Sequence, residues 1–445
     1  MSGLYEEDTI AALATPPGQG GIAIVRVSGS AARAYFEKLF RPAGQQKVES
    51  HRMLYGHLYD ARGTLIDECM AVLMVAPRSY TREDVAEFHL HGGHQTARQA
   101  LCALYAIGAR PAEPGEFTRR AFLNGRIDLS RAEAVMRLIS AEGEQAARAA
   151  LRQLDGGTSA FVRDIQAQGI AITAGVAAAL DYPEEIDEKE AAADTASQAR
   201  MLAKRLTDAC NERAARLLES GFEVVLCGLP NAGKSSLLNA LLGEERAIVT
   251  DIPGTTRDVV RGTILLNGLA VHLSDTAGIR AQADTVEAIG VERARAAMRS
   301  ADLVLLVMDG SMPMTEEDEK LLHEAEAYPH LVLLSKSDLP HAFEYPGALR
   351  VSVRTGEGLK ELREELAARA GEIGEMPLTD ARHMRLARRS AELLTEAAEA
   401  LERGEPLDLA AVSLYEALDT LGGITGDRVD EKLLDDIFSR FCVGK

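Results

Sequence analysis

Gly228-Leu229-Pro230-Asn231-Ala232-Gly233-Lys234-Ser235 is the stretch that decides the fold. It is a complete GxxxxGK[ST] loop. The apolar run Glu223-Val224-Val225-Leu226-Cys227 leads in as a strand, and Ser235-Ser236-Leu237-Leu238 opens a helix on the far side. In that setting the glycines let backbone N–H groups curl around phosphate oxygens, and the helix N-terminus adds a favourable dipole. Lys234 is placed to reach β- and γ-phosphates, and the Ser235 hydroxyl to bind Mg2+.

Working outward, residues 222–370 alternate apolar strands (Phe222–Cys227, Ala270–Ser274, Leu303–Met308, Leu331–Leu334, Leu349–Val353) with amphipathic stretches. That order implies βαβ units and a mostly parallel sheet. Asp275-Thr276-Ala277-Gly278 closes one strand as a DxxG motif, with an acid near Mg2+ and a glycine amide at the γ-phosphate. Ser335-Lys336-Ser337-Asp338 follows another strand. Asp338 can accept from guanine N1–H and its exocyclic amine, a pair that adenine cannot supply, so GTP is read over ATP. Ser352-Val353-Arg354 fits the loop that backs the base. The set resembles the translation-factor-related small GTPases. Their base-reading motif usually begins with Asn; Ser335 in its place predicts looser loop-to-loop bonding and weaker nucleotide affinity.

The residue after Gly278 is Ile279, where Ras-like enzymes carry the glutamine that orients water. Hydrolysis therefore needs another water-positioning group and another positive charge. Thr250-Asp251-Ile252-Pro253-Gly254-Thr255-Thr256 suggests the remedy. Thr256 suits Mg2+ and the γ-phosphate. The Asn231 side chain with the carbonyls of Thr250, Ile252 and Thr255 would cage a monovalent cation where an arginine finger would otherwise reach. The nucleotide contacts expected are thus Asn231 to Ser236, Thr250 to Thr256, Asp275 to Gly278 (with Thr276 and Ala277), Ser335, Lys336, Asp338, Ser352, Val353 and Arg354.

The remainder frames this module. The chain has 445 residues and a formal net charge of −19, with 46% hydrophobic and 26% charged residues, the balance of a folded multidomain protein. Its acidity argues against sequence-blind wrapping of nucleic acid and against residence on an anionic membrane. Cys69, Cys102, Cys210, Cys227 and Cys442 lie far apart without a CxxC pair, which fits a reducing compartment. The N-terminus lacks the basic and apolar pattern of a signal peptide, so a cytoplasmic location is expected. Residues 1–120 read as an α+β domain and 121–219 as helical. Residues 220–372 form the α/β domain, inserted in one discontinuous helical domain that resumes over 373–445. Three apolar stripes in the last segment (Leu393, Leu394, Ala397 and Leu401; Leu414, Leu418 and Leu421; Leu433, Leu434, Ile437, Phe438 and Phe441) need a partner, and the earlier helices are the simplest one.

Several blocks carry a closer resemblance: ATPPGQGGIAIVRVSG at 14–29, SYTREDVAEFHLHGG at 79–93, RPAEPGEFTRRAFLNGRIDL at 110–129, TDIPGTTRD at 250–258 and the terminal FCVGK. The chain resembles the MnmE (TrmE) family of bacterial tRNA modification GTPases from end to end. The resemblance implies a homodimer held by N-terminal domains, with GTPase domains meeting across the nucleotide when K+ is bound. It implies that Glu287 is the catalytic glutamate, orienting water through a second water, and that Asn231, Thr250, Ile252 and Thr255 ligate potassium. It further implies a folate-binding-like N-terminal domain in which Arg26, Glu87, Arg126 and Lys445 hold 5-formyltetrahydrofolate, with the Cys442 thiol at the one-carbon site. The implied product is a carboxymethylaminomethyl or aminomethyl group at C5 of wobble uridine 34 in certain tRNAs, made with an FAD-dependent partner (MnmG, or GidA). The rival reading is a GTP-dependent switch for RNA binding or ribosome assembly without modification chemistry.

Two features stand outside that scheme. His89, His91 and His94 invite a metal reading, but no acid or cysteine completes a familiar spacing, and strand and turn packing is expected of them. Arg382, Arg385 and Arg389 recur on one helix face, either as a solvated face or as a contact to tRNA backbone.

Overall fold

The structure is a computed structural model that describes residues 8–243, 261–275 and 295–444. The chain forms two compact units, one from residues 1–136, 153–204 and 389–445, the other from 137–152 and 205–388. Among the described residues no helix is long and apolar enough to cross a membrane.

The first unit is built on a seven-stranded sheet of β1 (Ile10–Leu13), β2 (Ile22–Ser28), β3 (Phe40–Pro42), β4 (Leu54–Tyr59), β5 (Leu65–Met74), β6 (Val85–His91) and β7 (Arg110–Pro111). Their order is β3-β4-β5-β6-β2-β1-β7. Strict alternation sends Val25 and Val27, Ala71 and Leu73, and Ala86, Phe88 and Leu90 to one face. There Phe36 of α1 (Ala32–Leu39) stacks on Phe88 with ring centroids 5.7 Å apart, and α2 (His94–Ala106) buries Ala97, Ala100, Ala103 and Leu104. The opposite face carries cross-strand rows: Tyr55, Met70, His89 and Ile24 in one, and Val72, Glu87 and Arg26 in the next. Tyr55, Met70 and Ile22 are exposed on that face.

The C-terminal stripes find cover within this unit. The helix Leu407–Thr425 packs along the helix Gly157–Asp181, where Gly169 leaves room for the Leu418 side chain. Leu434, Ile437, Phe438 and Phe441 close over Leu129 and Ala132. The chain then returns to the sheet: Val443 bridges Pro114, and Gly115 N–H donates to the Cys442 carbonyl at 3.4 Å. Gly444 has φ +96°, and a Cβ there would stand 2.2 Å from the Leu13 carbonyl, so only glycine fits.

The second unit holds β8 (Phe222–Cys227), β9 (Arg261–Leu266), β10 (Leu269–Asp275), β11 (Leu303–Asp309), β12 (His330–Ser335) and β13 (Leu349–Arg350) in the order β13-β12-β11-β8-β10-β9. All pairings are parallel except the β9–β10 hairpin, which turns at Asn267-Gly268 with both residues at positive φ. The strand expected over Leu349–Val353 stops at Arg350. Val351 N–H still reaches the Leu334 carbonyl, but Ser352 enters a tight turn with Gly356 and Glu357, and its hydroxyl donates to Asp338 Oδ1.

A buried ionic knot ties the end of α3 (Glu116–Leu123) to the first sheet. Arg120 Nη2 donates to Asp8 Oδ1 at 2.6 Å and Glu116 Oε1 at 2.9 Å, while Arg110 grips the same two carboxylates. Glu116 and Arg120 are almost wholly buried. Burial opposes ionisation of Glu116 and Asp8, yet their arginine partners outweigh it and hold both carboxyls below their usual range. Because the folded-state values are lowered, this contribution is complete above the unfolded carboxylate range and fades as pH falls through it. Arg120→Ala is therefore expected to cost about 3 kcal/mol in urea unfolding monitored by circular dichroism. The acid-induced fall in melting temperature of the wild type below about pH 4–5 should be shallower in that variant.

Candidate active site

The phosphate-binding loop begins at Gly228, with φ +148° and its α-carbon so near β11 that a Cβ would meet the Val307 carbonyl at 2.1 Å. Asn231, at φ +64°, turns the chain back toward α4 (Lys234–Gly243). Lys234 is buried inside this turn, its Nζ donating to the Gly228 carbonyl at 3.0 Å and the Leu229 carbonyl at 2.8 Å. One step along the helix, Ser235 Oγ donates to Asp275 Oδ2 at 2.7 Å. Asp275 ends β10 and is almost wholly buried. The two groups expected at Mg2+ thus meet, brought together because β8 and β10 are parallel neighbours in register at Leu226 and Asp275. Ser236 faces outward on the first turn of α4.

The base-reading side is built from the ends of β11 and β12. Ser335 is buried, and its hydroxyl hydrogen is shared between the Ala232 carbonyl at 2.7 Å and the Met308 carbonyl at 3.1 Å. This corrects the expectation of loosened loops: the serine bridges the phosphate loop to β11 itself, since a short hydroxyl reaches both carbonyls. Lys336, at φ +59°, pairs with Asp309 Oδ2 at 2.6 Å. Asp338 accepts from Ser352 Oγ at 2.6 Å and from Arg354 Nε at 2.7 Å. The Ser352 hydrogen bond, against a smaller opposing effect of burial and with help from Arg354, holds the Asp338 carboxyl below its usual range. Val353 between them is exposed.

Asp309 went unrecognised in the sequence. Its signal was there, an acid closing the apolar strand Leu303–Met308, and its carboxylate also accepts from Ser311 N–H and Oγ. Thr250, Asp251, Ile252, Pro253, Gly254, Thr255, Thr256, Thr276, Ala277, Gly278, Glu287 and Lys445 lie outside the described residues.

A second constellation stands on the open face of the first sheet. Arg26 Nε donates to Glu87 Oε1 at 2.8 Å across β2 and β6, and Arg26 Nη1 reaches the Gly444 carbonyl at 3.4 Å. His89 Nε2 lies 3.4 Å from the other Glu87 oxygen. Burial resists the Glu87 charge, but the His89 hydrogen bond and the Arg26 charge prevail and lower its pKa. Arg126 lies over the Tyr80 ring at 4.7 Å and Arg26 over the same ring at 5.6 Å, so the aromatic joins the two arginines. Cys442, just before the tail glycine, is exposed. His89 and His91 depart from the expected packing role: both stand on the open face, where His91 Nδ1 meets Asp67 Oδ1 at 2.8 Å and its pKa is raised by that bond. His94 opens α2. Arg389 is paired with Glu392 and Glu416 of its own unit.

Residues 9–126 match the family described as the GTP-binding protein TrmE N-terminus, and residues 129–442 match the MnmE helical domain. The tRNA modification GTPase MnmE of Chloroflexus aurantiacus is 46% identical over 98% of this chain and 100% of its own. Its namesakes in a Synechococcus strain and in Lactiplantibacillus plantarum are 44% and 41% identical, over 100% and 99% of this chain and 100% and 99% of theirs. The chain belongs to the MnmE family of tRNA modification GTPases. Its P-loop module is accordingly a GTPase fold set within the MnmE helical domain, and the N-terminal sheet is the TrmE domain.

The Ser335 bridge gives this family member a specific expectation. Ser335→Ala leaves two buried carbonyls without their donor and should weaken GDP binding about five-fold, the equivalent of about 1 kcal/mol, in fluorescence titration. Across the chain, native-state titration with a disulfide reagent should find Cys102 and Cys442 reactive and the buried Cys69 and Cys227 protected.

Proposed function

We propose that this GTPase is activated by K+ and drives a folate-dependent modification at C5 of the wobble uridine of certain tRNAs. In this reading it works as a homodimer in the cytoplasm together with an FAD-dependent MnmG-type partner. The observation that carries the folate half is the gathering of Arg26, Glu87, Arg126, Tyr80 and the C-terminal tail on one open sheet face. A carboxylate beside two cations suits a tetrahydrofolate: Glu87 to the pterin amino group and ring N–H, the arginines to the glutamyl carboxylates. Lys445 would follow Gly444 into the same region. The exposed Tyr55, Met70 and Ile22 on that face suit cover by a second copy.

The GTPase half follows from side-chain exchange. Lys234 would trade the Gly228 and Leu229 carbonyls for β- and γ-phosphate oxygens, and Ser235 would turn its hydroxyl oxygen from the Asp275 bond to Mg2+. Asn231 stands on the loop where it would join Thr250, Ile252 and Thr255 around a potassium ion, supplying the charge that neutralises the transition state. Glu287 would then orient the attacking water, with Thr256 at Mg2+. Cys442 would offer its thiol beside the folate one-carbon unit.

Calorimetry with 5-formyltetrahydrofolate is the direct test: binding by the wild type and its loss in Arg26→Ala are expected, and absence of binding in the wild type would return the protein to the switch reading. In parallel, GTP hydrolysis should run about ten-fold or more faster in K+ than in Na+, and Asn231→Ala should erase the difference. Equal rates for the wild type in both salts would discard the potassium site.

A further inference from the structure

Arg354 sits on the carboxylate that reads the base. Its Nε and Nη2 both lie 2.7 Å from Asp338 Oδ2, while Ser352 Oγ occupies Oδ1 at 2.6 Å. A carboxylate has two oxygens with about four acceptor positions in all. The arginine fork takes both positions of Oδ2 and the serine one of Oδ1, which leaves too little for a second paired donor. Guanine needs such a pair, since N1–H and the exocyclic N–H must both land on this carboxylate. The chemistry of the two is alike: the N1–C2–N2 edge of guanine is itself a guanidine fragment, presenting two parallel N–H donors as Arg354 does.

We infer that Arg354 is an internal competitor of guanine, an intramolecular ligand that must leave Asp338 Oδ2 before the base can be read and that recaptures it as the base departs. The geometry allows both states at small cost. The Arg354 side chain is 72% exposed and Asp338 only 11%, so the arginine can swing into water while the acid stays fixed. Ser352 holds Oδ1 throughout and keeps the carboxylate plane set for either partner. Such an exposed ion pair is weak enough to be displaced and strong enough to tell on the binding constant. The consequence is faster nucleotide release from the GTPase itself, with no contact to phosphate, Mg2+ or the hydrolysis machinery.

The test is stopped-flow binding and release of a fluorescent N-methylanthraniloyl-GDP by the full-length protein. Arg354→Ala and Arg354→Gln should each tighten GDP binding about two- to five-fold, the range that exposed ion pairs support. The variants should keep the wild-type melting temperature. Unchanged or weaker binding in both would overturn the inference, weaker binding pointing instead to an arginine that holds the nucleotide. An Asp338→Asn background distinguishes the route. There the competing charge is gone, so with xanthosine diphosphate, whose 2-oxo group can accept from the asparagine amide, adding Arg354→Ala should change binding far less than in the wild-type background. A gain of the same size in that background would equally overturn the mechanism, since the effect would not run through the carboxylate.

Discussion

A single close approach organises the nucleotide module: the α-carbon of Gly228 against the Val307 carbonyl, with no room for even one methyl group. It locks the exit of β8 to β11 and forces the following residues up and over, so that Lys234 is drawn into the concavity of its own loop. Once that turn is set, the parallel register does the rest. Asp275, Asp309 and Ser335 all end their strands at the same edge of the sheet, and Asp338 follows in the next loop. This is the carboxyl edge at which ligands of open α/β sheets bind. The chemistry is thereby concentrated by backbone geometry before any side chain makes a choice.

The two candidate sites, on different units, use the same electrostatic device. Glu87 is gripped by Arg26 with His89 on its second oxygen, and Asp338 by Arg354 with Ser352 on its second oxygen. In each case an acid that would otherwise resist partial burial is kept ionised by two partners at once, His89 with Arg26 on Glu87 and Ser352 with Arg354 on Asp338. The likeness lies in the carboxylates and their donors and is independent of the folds that present them.

Much of the nucleotide module was legible because its signals are local. A glycine-rich loop between an apolar run and a helix needs only adjacent residues to be recognised, and the neighbouring strands Leu303–Met308 and Leu331–Leu334 are continuous apolar runs, as strands buried on both faces require. The N-terminal sheet was less legible. Ile10–Leu13, Leu54–Tyr59 and the two-residue Arg110–Pro111 are short and alternate weakly, and their pairing partners lie far along the chain. Ser335 was misjudged for a related reason: substitution of Asn by Ser says which group is lost, but not that two carbonyls, Ala232 and Met308, wait within reach of a hydroxyl. The ionic knot at Arg120 and the Asp309–Lys336 pair were likewise invisible, since nothing in a linear sequence announces which acid a given cation will meet.

The contact between Arg26 and the Gly444 carbonyl spans 418 residues of sequence. At a synthesis rate of about 5–20 residues per second, the ribosome holds the first sheet in the open for some tens of seconds before its last piece is made. During that interval Arg26 lacks its Gly444 partner and Pro114 its bridge to Val443. Completion of this site is therefore bound to late translation, when the segment that carries Gly444 is made.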